Sequence, residues 1–176
     1  MIVAKTDRLL LRHFHLLDAQ ALYGVFGDPE VMRFSQGGPQ TAEWVQGWLE
    51  RQLENYARWG FGQYAVLERD RREVIGYCGL AFHPDLGGRP EVDLGYRLVR
   101  RCWRHGYATE AARAVVAYAL DTLALRRLVA TIDPQNLASL RVAEKIGMRY
   151  EQDLLLEGYT HPDRLYVITA PDRASS

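Results

Sequence analysis

The stretch from Glu91 to Ile132 constrains this chain more than any other. Glu91-Val-Asp-Leu-Gly-Tyr-Arg-Leu98 alternates with period two, so Val92, Leu94, Tyr96 and Leu98 share one face and Glu91, Asp93 and Arg97 the other. A basic turn follows. From Thr109 onward, Ala112, Val115, Val116, Ala119, Leu120 and Leu123 recur at helical spacing. Leu128 to Ile132 then reads as a short buried strand. Strand, helix and strand in that order imply a right-handed crossover and a parallel pair.

The flanks read as antiparallel. Leu9, Leu10 and Leu11 suggest a first strand, and Tyr64 to Leu67 and Val74 to Phe82 form two more around the polar turn Arg69-Asp-Arg-Arg72. Asp18 is placed to cap a short helix carrying Ala21, Leu22 and Val25. Thr41 is placed to cap a second helix carrying Trp44, Val45, Trp48 and Leu49. Asn136 opens a further helix that stops at Gly147, a natural left-handed C-terminal residue. Strands near Arg149 to Leu156 and Arg164 to Thr169 close the chain. The class is α/β with a mixed sheet, one domain over residues 1–170, followed by a frayed tail from Pro171 to Ser176.

Composition narrows the function. Lys+Arg and Asp+Glu both number 22, a formal charge of zero, which argues against nucleic acid as the main partner. Cys78 and Cys102 form no Cys-x-x-Cys pair and suggest neither a disulfide framework nor a zinc site. Met1-Ile-Val-Ala-Lys5 is too short for a signal-peptide core, and no run approaches ~18 apolar residues. A cytoplasmic protein without a membrane partner or a metal is expected.

Two segments carry the chemistry. Trp103-Arg-His-Gly-Tyr-Ala-Thr-Glu-Ala111 leads a Gly-containing basic turn into the first turn of an amphipathic helix. Free backbone N–H groups and the helix dipole make an anion site there. Gly106 and Ala108 let an anion approach the backbone, and Arg100, Arg101 and Arg104 can add charge; the alternative is a capped helix with a solvated turn. In the second segment, Asn136 and Ser139 sit three apart at a helix start, which by itself reads as a cap and its partner.

Together these segments resemble the GNAT superfamily of acyl-CoA N-acyltransferases, and most closely its ribosomal-protein-alanine acetyltransferase-like branch. The branch's Trp-Gly-Lys-Gly-Tyr-Ala-Thr-Glu-Ala turn corresponds to Trp103 to Ala111. Its Asn-x-x-Ser…Glu-Lys-x-Gly helix corresponds to Asn136, Ser139 and Glu144 to Gly147. Thr6-Asp-Arg-Leu-Leu-Leu-Arg12, Asp28-Pro-Glu-Val-Met-Arg-Phe34 and Asp93-Leu-Gly-Tyr96 fit its other landmarks in order. Two positions depart from the pattern. Arg104 replaces the usual glycine, and Ala143 occupies the place of the tyrosine general acid found in many members.

The resemblance implies a mostly antiparallel sheet whose central parallel pair splays to admit acetyl-CoA as co-substrate. A bulge is expected near Leu98 and Val99. Cofactor contacts fall on Leu98, Val99, Trp103, Arg104, His105, Gly106, Tyr107, Ala108, Thr109, Asn136 and Ser139. The implied reaction is direct attack of a neutral primary amine, on a peptide N-terminus or a small molecule, in a ternary complex. That chemistry needs a base, an oxyanion donor and a donor to the departing thiolate. Asp93 and Glu91 are the base candidates, with a solvated or salt-bridged face as the alternative. His83 is a weaker one, and Ser139 is the donor toward sulfur. His13 and His15 share a face without a carboxylate and do not suggest a metal site. Trp44, Trp48 and Trp59 serve the core or line the acceptor pocket, which the helical region 18–57 shapes. A non-catalytic acyl-CoA-binding sensor is the rival class, and a homodimer stays open.

Overall fold

A computed structural model describes residues 1–171, so the expected tail lies outside the described residues apart from Pro171. Eight strands form one sheet: β1 (Ile2–Lys5), β2 (Leu9–Arg12), β3 (Gln63–Glu68), β4 (Glu73–His83), β5 (Glu91–Leu98), β6 (Arg127–Ile132), β7 (Arg149–Leu154) and β8 (Asp163–Thr169). Their order is β1-β2-β3-β4-β5-β6-β8-β7, and only β5 and β6 pair in parallel. The strand β1, which the sequence pattern leaves unassigned, pairs with β2 as the sheet edge.

The helices are α1 (Ala19–Phe26), α2 (Ala42–Trp59), α3 (Tyr107–Ala117) and α4 (Leu137–Lys145). Alternation along the strands separates two layers. Leu80, Leu94, Leu98, Leu128, Ala130 and Ile132 pack on one face beneath α3 and α4. Ala65, Leu67 and Tyr77 meet Leu22, Phe26, Val45 and Leu49 of α1 and α2 on the other. The small residues Ala111, Ala112 and Ala119 are fully buried, which lets α3 and its continuation lie close on the sheet. The apolar stripe continues past Ala117, but the backbone there passes into a π-helical turn over Tyr118–Thr122.

Local chemistry fixes the helix ends. The Thr41 hydroxyl accepts from Trp44 N at 3.2 Å, and Asn136 Oδ1 accepts from Ser139 N at 3.2 Å. Gly147 takes φ 89 just after α4. Asp18 departs from its expected capping role. Its carboxylate turns back to Arg12, at 2.7 and 2.8 Å, and accepts from His15 N at 2.8 Å. A bidentate pair with a partly buried arginine plus the His15 N–H supplies three charge-assisted bonds where an N-cap would supply one. Both cysteines are free and buried. Among the described residues no helix is long and apolar enough to cross a membrane.

Candidate active site

The parallel pair opens toward its C-terminal ends. β5 and β6 share one registered pair, Asp93↔Val129, whereas β4 and β5 pair over eight consecutive positions up to Gly76↔Leu98. The expected bulge at Leu98 and Val99 is therefore absent from the ladder with β4. The nearby register shift lies in the β3–β4 ladder, between Val66 and Leu67. Val99 N continues the ladder by donating to Ile75 O at 2.9 Å. Because N–H directions alternate along a strand, Leu98 and Tyr96 then direct theirs into the V between β5 and β6. The Leu98 carbonyl accepts from Trp103 Nε1 at 2.8 Å, which ties the basic turn to the end of β5.

That turn has the shape of an anion cradle. Gly106 sits at the N-cap with φ 80 and ψ 2 and supplies no side-chain cap. The first backbone bond of α3 runs from Glu110 N to Gly106 O at 3.0 Å, so the N–H groups of Tyr107, Ala108 and Thr109 lack acceptors within the helix. A Cβ added at Gly106 would meet only Arg8 Nη2, at 3.5 Å. Arg104 holds φ 63, in the left-handed region that favours glycine. His105 is exposed and its carbonyl accepts from Arg8 Nη1 at 2.8 Å, while Arg8 Nε binds Glu110 at 2.7 Å. Two of the three arginines are not available for an anion. Arg100 pairs with Asp28 and Arg101 with Glu73, at 2.7 and 2.8 Å. Among the described residues Arg104 makes no ion pair of its own.

On the α3–α4 face, the Tyr96 hydroxyl donates to Ser139 Oγ at 3.1 Å. Burial pushes the Tyr96 phenol up to about 12, so it stays protonated at neutral pH. Ala143 is buried in the core, two turns into α4. The contact between Tyr96 and Ser139 joins residues 43 apart and leaves no trace in local spacing.

Asp93 occupies the opposite sheet face, at the last paired point before the strands part. Its side chain is 19% exposed, Oδ1 accepts from Thr131 N at 3.2 Å, and Oδ2 lies 3.9 Å from His83 Nε2. Burial pushes the carboxyl up to about 7. The Thr131 N–H opposes that rise, and the Asp163 charge adds to it. Burial also lowers the His83 imidazole. Glu91 has different surroundings: it is buried, with Arg127 at 3.0 Å and Arg89 at 3.1 Å, and Arg127 reaches on to Glu151 at 2.7 Å. The ion-paired alternative describes Glu91; a solvated face does not.

The remaining aromatic and histidine candidates are structural in position. His13 stacks on Tyr56 at 3.8 Å, and Trp48 packs among Phe14, Phe26 and Tyr77. Trp44 and Trp59 remain partly exposed. A cluster that the sequence pattern does not announce joins Asp133, His161 and Asp163, whose ligating atoms lie within 4.8 Å of one another.

Comparison with known proteins agrees with this architecture. A family model described as an acetyltransferase (GNAT) domain matches residues 8–149. Protein YkkB of Bacillus subtilis (strain 168) is 37% identical over 153 residues, covering 85% of this chain and 86% of its own length. YnaD of the same organism, named as an uncharacterized N-acetyltransferase, is 33% identical over 146 residues, with 83% and 82% covered. The crystal structure of a GNAT-family acetyltransferase from Bacillus anthracis superposes with a TM-score of 0.80 at 29% identity, covering 96% of this chain and 98% of that one. The chain belongs to the GNAT family and is an N-acetyltransferase.

Proposed function

We propose that this protein transfers the acetyl group of acetyl-CoA to a primary amine, on a peptide N-terminus or a small molecule, by direct attack in a ternary complex. The observation that carries this reading is the place of Asp93, a largely buried carboxyl at the last paired point before the strands splay, where burial pushes its pKa up to about 7. A general base works best when its pKa lies near the operating pH. The amine approaches from the face that bears Asp93 and gives up its proton there.

The other face holds the cofactor. The free N–H groups of Tyr107 and Ala108, the open Gly106 and the charge of Arg104 suit a pyrophosphate, with Thr109 and His105 at its edge. Trp103, Leu98 and Val99 form the wall along which the pantetheine arm runs, and the amide nitrogen of Asn136 is free to bind it. The N–H groups of Leu98 and Tyr96 neutralise charge growing on the thioester oxygen. Because Tyr96 donates to Ser139, the Ser139 proton is free to reach the departing sulfur. This pair supplies the donor that Ala143 lacks, so no binding-only role is needed. Glu91 is assigned to structure.

Thiol release from acetyl-CoA across a panel of amines and peptides, with product mass spectrometry, tests the reading. Acetyl on nitrogen is expected; acetate as the only product would overturn it. Gly106→Val is expected to weaken acetyl-CoA binding at least ~10-fold, about 1.4 kcal/mol, by calorimetry. Gly106→Ala shares the left-handed strain without the branched side chain and serves as the control. Equal affinities for wild type and Gly106→Val would remove the pyrophosphate from this turn. Ser139→Ala and Tyr96→Phe are each expected to lower kcat by roughly 3- to 10-fold, because water partly replaces a hydroxyl donor. Acting as one relay, the double variant should lose no more than the worse single one. Additive losses in kcat would separate the two residues.

A further inference from the structure

Asp93 does not stand alone on its sheet face. Val129 and Leu165 are buried together on that side, while Leu128, Ala130 and Ile132 belong to the other. The two-residue period therefore puts Thr131 and Asp133 of the β6 line, and Asp163 of β8, on the same side as Asp93. The β6–β8 ladder pairs Ile132 with Arg164, so Asp133 and Asp163 face each other just past its end. Asp93 reaches the same strand through Thr131 N.

The carboxylates differ in one respect. Asp133 is satisfied, with His161 Nε2 at 3.0 Å and Gln135 N at 2.7 Å. Asp163 is only 6% exposed, and its Oδ1 is buried without a hydrogen-bond partner. Arg127 of β6 is engaged with Glu91 and Glu151, Arg97 of β5 with Tyr77 and Ser35, and His161, within 4.8 Å of Asp163, with Asp133. A buried carboxylate in this state is costly unless a cation meets it or it takes up a proton. The His161 side chain, whose ligating atom lies within 4.8 Å of Asp163, is 43% exposed, so the cluster borders solvent.

We infer that Asp163, backed by Asp133, receives a second positive charge on the acceptor while the reacting amine meets Asp93. The inference rests on the acetyl transfer proposed above and names its substrate class: a primary amine with another cationic group a few methylenes away. Asp93 Oδ1 reaches Thr131 N on β6, and Asp163 stands one strand spacing beyond, level with Asp133 two residues further along, so the carboxylates are roughly 10 Å apart, which three to five methylenes bridge. The source is either a free diamine or a peptide whose second residue is basic.

The test compares 1,5-diaminopentane with hexylamine, which has a methyl group where the diamine has its second ammonium. Wild type is expected to prefer the diamine by roughly 30-fold in kcat/KM, as a charge-assisted pair implies. Asp163→Asn should reduce that preference to about 3-fold or less, mainly through KM, and Asp163→Glu should restore part of it. A matched pair of Ser-Lys and Ser-norleucine dipeptides reads the peptide source, and a Lys preference lost in Asp163→Asn supports the same chemistry from that source. Equal kcat/KM within both pairs in wild type overturns the inference, as does a preference that survives in Asp163→Asn. A preference abolished by EDTA and restored by Zn²⁺ assigns the cluster to a metal ion and also overturns it. If some amine is acetylated without a charge preference, only this inference falls. If acetyl-CoA binds and no amine is acetylated, the transfer reading falls with it.

Discussion

Asp93→Asn is expected to lower kcat by roughly 10²- to 10³-fold near neutral pH, with little change in acetyl-CoA affinity, because the lost interaction belongs to the chemical step. Asn keeps the size of Asp93 and an oxygen for the Thr131 N–H, so it removes the basic function and little else. The pH profile makes the result diagnostic. In wild type the rate should climb through about pH 7 as the Asp93 carboxyl ionises. In the variant that limb should vanish, leaving a slope set by the amine's own ionisation, so the defect shrinks at high pH. Stability provides an independent reading of the same group. The folded state raises the Asp93 pKa from 3.8 to about 7, so wild type loses stability as pH rises across that window and retains it below. Asn carries no such penalty. Thermal melts should therefore show Asp93→Asn more stable than wild type at about pH 8, by a few degrees, and the gap closing near about pH 4. Kinetic parity with wild type at every pH would make Asp93 structural.

Much of this was legible because it is local. The period-two run in β5 and the apolar stripe of α3 each lie within a dozen residues, and their order forces the parallel pair. Gly106 announces the turn, and Asn136 announces the helix with Ser139 as its cap partner. The alternation also placed Asp93 and Glu91 on the face opposite Leu94. What the pattern does not contain is the identity of distant partners. Arg100 and Arg101 read as cofactor charges until Asp28 and Glu73 neutralise them across the fold. Asp18 reads as a cap until Arg12 claims its carboxylate. Tyr96 meets Ser139, and Asp133 meets His161 and Asp163, only because separate strands and a helix converge at the open end of the sheet. The π-helical turn after Ala117 keeps the apolar spacing of a helix, so periodicity alone does not mark where α3 stops.

Glu91→Ala is expected to separate the two carboxylates of β5, which the sequence pattern places on one face with Glu91 one pleat behind Asp93. Glu91 is 4% exposed and faces two guanidiniums, Arg127 at 3.0 Å and Arg89 at 3.1 Å. Removing one partner of a buried pair leaves the other charge desolvated, which costs about 3–5 kcal/mol. Arg127 retains Glu151 at 2.7 Å, so the lower end of that range, about 3 kcal/mol, is the expected loss, or roughly 6–12 °C in Tm. The kcat measured well below the melting temperature should stay within about 3-fold of wild type, because Glu91 is ion-paired to two guanidiniums and a proton relay through it would have to disrupt those pairs. A second variant guards against a protein that simply fails to fold. Glu91→Leu combined with Arg127→Met removes both charges, and apolar replacement of a buried pair is often neutral or better. That double variant should recover most of the lost Tm and keep its acetyl-transfer rate. The opposite result, an unchanged Tm with a kcat loss approaching that of Asp93→Asn, would return Glu91 to the proton path and make the arginines its positioning partners.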